Sequence, residues 1–251
     1  ISFAEVLLAE WRPDALLLND QGYIPLGPLF ERASQSGIAA YTWNASHRDN
    51  AIILKRYDAR NFDEHPVSLS KQSWDAILAR PWSDGEWQRL RDEIVHCYRS
   101  GQWYGEVGTQ FNKTFPDRQA LIDRLGLDPL RRTVLVFPHI FWDGTFFWGR
   151  DLFADYEAFF TETMKVAYRT PTVNWIVKVH PANLVKSRRD GVDGPLGEWQ
   201  VLQSLGPLPP HIRVLDASSD ISTLSLFDVG DVCVTVRGTV GLEAACLGLT
   251  T

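Results

Sequence analysis

The sequence predicts an α/β protein with doubly wound parallel sheets, and three observations carry that prediction. Short β-branched or apolar runs recur between clusters of Gly, Pro, Asn and Asp, as strands buried in parallel sheets do. Longer stretches with apolar residues at helical spacing separate them, and that alternation is the pattern of a sheet with crossover helices. The clearest unit runs from Asp231 to Val236, turns at Arg237, Gly238 and Thr239, and continues as a helix through Leu247. Its strand has Val232, Val234 and Val236, and Thr239 is expected to be the N-cap of its helix. Gly238 and Gly241 remove side chains where a ligand would approach the backbone. Free N–H groups and the positive helix end then make the turn an anion site. Glu243 follows in the first helical turn, either as a partner for a ligand or as a carboxylate that complements the dipole.

In chain order, Phe3, Val6, Leu7 and Glu10 predict a helix from Ser2 to Trp11, ended by Pro13 and Asp14. Ala15 to Leu18 is a short buried strand, Leu26 to Ser36 a helix ending near Gly37, and Ile38 to Trp43 a second strand. The crossover length favours parallel pairing. Both post-strand loops then lie on one sheet edge, the carboxyl edge where open parallel sheets bind ligands, so Asn19, Asp20, Asn44, His47 and Arg48 are candidate cleft residues. Asn and Asp are equally ordinary turn formers. Ile52, Ile53 and Leu54 point to a strand within an ambiguous stretch, and Ser70 to Leu78 predicts a short helix. Ser83 and Glu86 have capping-box spacing before Trp87, Leu90, Ile94, Cys97 and Tyr98 on one helical face. Asp117 to Leu125 is a further helix stopped by Gly126.

The second half has a cleaner rhythm. Thr133 to Phe137 is a strand, and Leu152, Phe153, Tyr156, Phe159, Phe160, Met164 and Ala167 mark one helix face. Val173 to Val179 is the next strand, followed by a loop rich in Gly, Pro and basic residues. Ile212 to Leu215 is a third strand and Ile221 to Phe227 a short helix. The domain expectation is a partial first sheet domain at 1–63, a helical connecting region at 64–130 and a second sheet domain at 131–251.

Composition narrows the function. With 251 residues, 45% of them hydrophobic, and ten Trp, the chain can bury cores for two domains. A net charge of −6 gives no electrostatic footprint for nucleic acid. Cys97, Cys233 and Cys246 have no paired spacing for disulfides or zinc, which fits a reducing cytoplasm. No apolar run has the length of a membrane span, and no signal peptide opens the chain. Ile1 is not a start methionine, and the chain stops at Thr251 where another strand is expected, so trimming at both ends is expected.

If the four strands of the second half are parallel, one carboxyl edge collects His139 and Asp143, Lys178 and His180, Ser218 and Ser219, and Arg237, Gly238 and Thr239. Loops after strands are usually polar. The convergence of cation, imidazole, hydroxyls, glycine turn and Glu243 nevertheless suits a nucleotide phosphate, with N–H and O–H donors for the phosphate and a carboxylate for ribose hydroxyls. A dinucleotide site is disfavoured because no Gly-x-Gly-x-x-Gly follows the first strand of either half, and Walker A is absent.

Three stretches carry a family resemblance: Trp175 to Pro181 with Lys178 and His180, Asp216 to Ser219, and Val234 to Gly248. Together they resemble the donor half of the capsule polysaccharide biosynthesis glycosyltransferases. These are metal-independent enzymes of the GT-B fold, two Rossmann-like domains facing a cleft, whose relatives transfer Kdo from a CMP-sugar. Phe137 to Gly144 is similar to the family's strand followed by a loop carrying an Asp. The resemblance spans about residues 130–251; before it only the architecture matches. It implies that His180 contacts donor phosphate or sugar, that the Ser218–Ser219 and Gly238–Thr239 backbones bind phosphate, and that Glu243 holds the ribose. Arg237 departs from the pattern, since relatives often carry Ser or another small residue there, and the chain ends before the family's final strands and crossing helix.

The expected reaction is transfer of a sugar from a nucleotide-linked donor, with no further cofactor, to a glycan or glycolipid acceptor in surface-polysaccharide assembly. It is expected in the cytoplasm, beside membrane-associated assembly machinery at the inner membrane. Lys178, His180 and the helix N-terminus would stabilise the leaving phosphate. Asp143, His139 or His47 would handle the proton, with no choice made among them. The alternatives are a polyol-phosphate transferase, a UDP-sugar 2-epimerase, which usually carries paired acids where this chain has Glu243 and Ala244, and a non-catalytic nucleotide- or sugar-binding module. The aromatics Trp142, Phe146, Phe147 and Trp148 fit sugar stacking or ordinary packing.

Overall fold

Pro13 and Asp14 separate the first helix, α1 (Phe3–Trp11), from the first strand, β1 (Ala15–Leu18). The computed structural model describes residues 3–19, 21–23, 25–46, 50–62, 64–102, 112–143, 152–185, 191 and 196–251. Two compact units emerge: Ile1–Pro81 with Asp143–Leu152, and Trp82–Trp142 with Phe153–Thr251.

In the first unit, α2 (Leu26–Gln35), β2 (Ala39–Ala45), β3 (Ile52–Tyr57) and α3 (Lys71–Ala79) follow β1. The sheet order is β1-β2-β3. β1 pairs parallel with β2, Leu16 opposite Ala40, as the crossover through α2 requires. β2 and β3 pair antiparallel, Asn44 opposite Ile53. This corrects the expectation of an all-parallel first domain, because the stretch from Ser46 to Ala51 is too short for a parallel crossover and can only close a hairpin. It also corrects Asn44, which lies inside β2 rather than in a loop beyond it. Side chains alternate across the sheet. One face gathers Leu18, Phe30, Ala40 and Tyr57 into a core, with the Phe30 and Tyr57 rings edge to face at 5.1 Å. The other face leaves Leu17, Trp43, Ile52 and Leu54 exposed. Ser70 caps α3, which buries none of its residues.

The second unit holds α4 (Asp84–Ser100), α5 (Arg118–Leu125), β4 (Thr133–Phe137), α6 (Tyr156–Arg169), β5 (Asn174–Lys178), α7 (Gly197–Ser204), β6 (Ile212–Leu215), α8 (Thr223–Val229), β7 (Val232–Thr235) and α9 (Thr239–Cys246). The strands form one parallel sheet of order β6-β5-β4-β7. Thr250 bridges Val232 in parallel, so the chain returns to the sheet beyond β7. Alternation now feeds two cores. Leu135 and Ile176 pack with Ile94 and Tyr98 of α4, Leu121 and Leu125 of α5, Phe227 of α8 and Ala244 of α9. Val136 and Val177 pack with Phe160 and Met164 of α6 and Val201 and Leu202 of α7. Burial on both faces is why these strands read as continuous apolar runs.

The helix ends follow the cap residues. Ser83 and Glu86 make the expected capping box of α4, Asp117 caps α5, and Gly101 and Gly126 terminate the two helices in the left-handed region. α6 starts later than its apolar pattern predicts: Asp155 caps it through Ala158 N–H at 2.7 Å, leaving Leu152 and Phe153 outside. Helix α7 was not anticipated from sequence. Its N-cap position is Leu196, which makes no side-chain cap bond, and the stretch reads as loop. Residues expected to be a helical connector divide, α3 grouping with the first unit and α4 and α5 with the second.

Candidate functional site

In the second sheet, successive strands step from β4 to β5 and β6 on one side, then cross to β7 on the other. Crossovers leaving in opposite directions open a crevice at the carboxyl ends of β4 and β7, the topological switch point where doubly wound sheets take ligands. The turns after those two strands therefore come first.

Beyond β4, His139 adopts a left-handed backbone (φ 67°), and its ring stacks on Tyr156 at 4.0 Å and 15°. Its Nδ1 accepts the Ile140 N–H at 2.8 Å, so the neutral ring carries its proton on Nε2. His180, past the end of β5, is fixed in the same sense, with Nδ1 accepting the Ala182 N–H at 3.1 Å. Both imidazoles thus have Nε2–H as the donor edge. That suits hydrogen bonding to phosphate oxygens better than proton abstraction.

Beyond β7, Arg237 is left-handed (φ 57°), a costly backbone for a non-glycine residue. The N-cap of α9 is Gly238, not the expected Thr239, and no side chain caps the helix. A Cβ at Gly238 would come within 2.9 Å of Thr235 Oγ1, and one at Gly241 within 2.9 Å of Thr235 Cγ2. Glycine at both positions lets the helix start press onto the end of β7, and Thr235 Oγ1 is buried there without a hydrogen-bond partner. The first-turn amides of α9 keep the helix N-terminus suited to an anion.

Thr239, the first helical residue, bonds the Glu243 carboxylate instead of capping. Glu243 also accepts the hydroxyl of Tyr98 from α4. Burial pushes the Glu243 carboxyl up, and the bonds from Tyr98 and Thr239 pull it back down. Tyr98 is 3% exposed, and its phenol is raised well above the usual value, first by burial and then by Glu243.

Lys178, the last residue of β5, is 5% exposed and donates to Ile221 O at 3.2 Å. Burial, reinforced by Lys113, pulls its ammonium down to about 8, while Asp220 and Asp216 oppose that shift. In the turn after β6, the Ser219 N–H is spent on Asp216 O at 2.9 Å and Ser219 Oγ accepts the Ile221 N–H at 3.3 Å. Of the two serines, the exposed Ser218 is therefore the one placed to meet a ligand.

The second unit thus brings His139, Lys178, His180, Ser218, Ser219, Arg237, Gly238 and Thr239 to the carboxyl ends of one sheet, whereas Glu243, expected in the first turn of α9, lies beyond that turn and is held by Tyr98 of α4. Asp143 groups with the first unit, where its Oδ1 accepts the Tyr23 hydroxyl at 2.5 Å. Asn19 is exposed just after β1, Asn44 is half-buried in β2, and Asp20, His47 and Arg48 lie outside the described residues. Phe146, Phe147 and Trp148 lie outside them as well. Among the described residues no three His, Cys, Asp or Glu side chains form a metal-holding group, and no helix is long and apolar enough to cross a membrane.

Sequence reasoning missed several polar residues of this edge. Asn183 and Glu198 are both buried; the Asn183 amide donates to Glu198 at 2.8 Å and its carbonyl accepts Trp142 Nε1–H at 3.0 Å. The same residue's backbone N–H donates to His180 O at 3.2 Å, so the pair braces the histidine loop. Tyr98 read only as a core position, and Lys113 carried no local signal. Burial of Glu198 raises its carboxyl.

No protein-family model matches the chain, and no curated protein sequence matches it. Among solved structures it is similar to Thermosulfurimonas dismutans KpsC, titled a beta Kdo 2,4 transferase, at 17% identity and a TM-score of 0.50. That likeness covers 94% of this chain and 67% of the other, and at this identity it establishes likeness of fold.

Proposed function

We propose that the second unit is the donor domain of a nucleotide-sugar-dependent glycosyltransferase of the GT-B type. It would move a sugar, with Kdo from CMP-Kdo the first donor to test, onto a hydroxyl of a glycan or glycolipid during surface-polysaccharide assembly. The observation that carries the reading is the switch point between β4 and β7, where α9 begins without a side-chain cap beyond the end of β7. The fold likeness to a Kdo transferase supports the same reading.

In this mechanism the α9 amides, Lys178 and the Nε2–H groups of His139 and His180 hold the donor phosphate and offset the charge that grows on it as the glycosidic bond breaks. Glu243 exchanges the Tyr98 and Thr239 hydroxyls for those of the ribose. Because both imidazoles are held as donors, Asp143 is the group we assign to take the proton of the acceptor hydroxyl. Asn19 is assigned to the acceptor side, and the reaction is assigned to the cytoplasmic face of the inner membrane.

Calorimetric titration with CMP, UDP and GDP tests the donor site. Binding of one nucleotide, lost in His180→Ala and Glu243→Ala, is expected, with CMP-Kdo turnover lost in Asp143→Asn. A folded chain that binds none of the three rejects the donor site, and binding without turnover of any nucleotide sugar leaves a binding module.

A further inference from the structure

Two ammonium groups converge on one turn of the second unit. Lys178 ends β5, while Lys113 lies in the segment before α5. That segment is fastened to the turn after β6: Thr114 N–H donates to Asp220 O at 2.7 Å, and Ser222 N–H donates to Thr114 O at 3.0 Å. The fastening brings Lys113 Nζ to Ser219 O at 2.7 Å, and Lys178 Nζ reaches Ile221 O at 3.2 Å. Two cations from distant parts of the chain thus donate to carbonyls two residues apart.

The carboxylates facing the pair already have partners of their own. Asp220 is held bidentately by Arg124 of α5, at 2.6 and 3.3 Å, and accepts the Thr114 hydroxyl at 3.0 Å. Asp216 accepts the Ala217 N–H at 2.7 Å. Lys113, Lys178 and Arg124 thus face Asp216 and Asp220, and the buried Glu198 faces Asp216 in turn. Burial pulls both ammonium groups down, and Lys178 is pulled further by Lys113. The exposed Ser218 hydroxyl sits on the same turn.

We propose that Lys113 and Lys178 form one anion subsite at the turn from Asp216 to Ile221, taking a phosphate-class group with Ser218. The proposal deepens the donor reading of this edge, on which it rests, by adding Lys113. A bound anion offsets the repulsion between the two ammonium groups, so Lys178 takes up a proton on binding near pH 8 and is already charged at pH 6.5.

Sulfate is the direct probe, because it has the shape of phosphate and does not titrate in this range. Calorimetry of the full chain with sulfate, in buffers of different ionisation enthalpy, is expected to show proton uptake at pH 8 and none at pH 6.5. Lys113→Gln keeps a donor for Ser219 O but loses the charge, and should weaken sulfate binding by roughly tenfold or more, with Lys113→Arg restoring it. No sulfate binding, binding without proton uptake, or equal affinity in a folded Lys113→Gln overturns the subsite. A parallel titration with CMP separates the two ideas. The sulfate signature without CMP binding upholds the subsite and rejects the nucleotide, whereas CMP binding that ignores Lys113→Gln upholds the nucleotide and rejects the subsite. The uptake measurement uses the unmodified chain, so the test survives a variant that fails to fold.

Discussion

The two sheets of this chain look alike in sequence and differ in what covers them. Leu16, Leu17 and Leu18 of β1 read as apolar a run as Trp175, Ile176 and Val177 of β5. In β5 both sets of alternating side chains meet helices, and Ile176 and Val177 are 0% exposed. Among the described residues of the first unit one face meets a core, and Leu17, at 61% exposure, faces away from it. An apolar run therefore predicts a strand but not the number of layers around it. Layers depend on which helices return, and that is set by crossover length and direction. A sheet clamped on both faces holds the ends of its strands in place, as the proposed binding edge requires.

The comparison can be broken by mutation, and the largest effect belongs to the doubly covered sheet. Phe160→Ala empties a fully buried ring position between α6 and the sheet and should cost about 3–5 kcal/mol in denaturant unfolding of the second unit. Tyr98→Phe removes the hydroxyl from a half-buried carboxylate, and a loss of about 1.5–3 kcal/mol is expected. A loss near zero would mean that the Thr239 hydroxyl alone satisfies Glu243.

Asp220→Asn should cost under about 1 kcal/mol at neutral pH, because its pair with Arg124 is more than a third exposed. The sign of its pH dependence is set by Arg124, which holds the Asp220 carboxyl near 2, below the unfolded value of about 3.9. The contribution is present above about pH 4 and lost as pH falls through 2, so melts of wild type and variant should converge in acid. Equal separation at all pH values would remove the ion pair from the account. The smallest effect is expected on the open face: Leu54→Ala, at a 57% exposed side chain, should change stability by within about 0.5 kcal/mol. A loss above 2 kcal/mol there would show that the face is covered in solution.

These contrasts also show what a sequence carries. Local chemistry was legible: Ser83 with Glu86, and Asp117 with Gly126, set the ends of α4 and α5 because cap bonds join residues a few positions apart. The turn at Arg237 and Gly238 and the succession of strands along the chain beyond residue 130 were legible from local patterns too. Illegible features depend on partners far along the chain. Tyr98 meets Glu243 across 145 residues, Lys113 meets Ser219 across 106, and no spacing rule reaches that far. Helix α7 escaped because Leu196 gives no cap signal, although it carries the buried Glu198. Thr239 was expected to cap α9, yet its hydroxyl turns to Glu243, and Gly238 takes the position because Thr235 leaves no room for a Cβ. The antiparallel β3 followed from a short loop whose consequence for pairing was not drawn from the sequence.

The most direct test of the central claim is backbone amide chemical-shift mapping of the full chain titrated with CMP, UDP and GDP. For one nucleotide, the largest shifts should fall at His139 to Trp142, at Arg237 to Gly241 and at Ser218, with β1 to β3 unchanged. A folded chain whose shifts centre on the first sheet, or that shows none with any of the three, would contradict a nucleotide site at the switch point of the second unit.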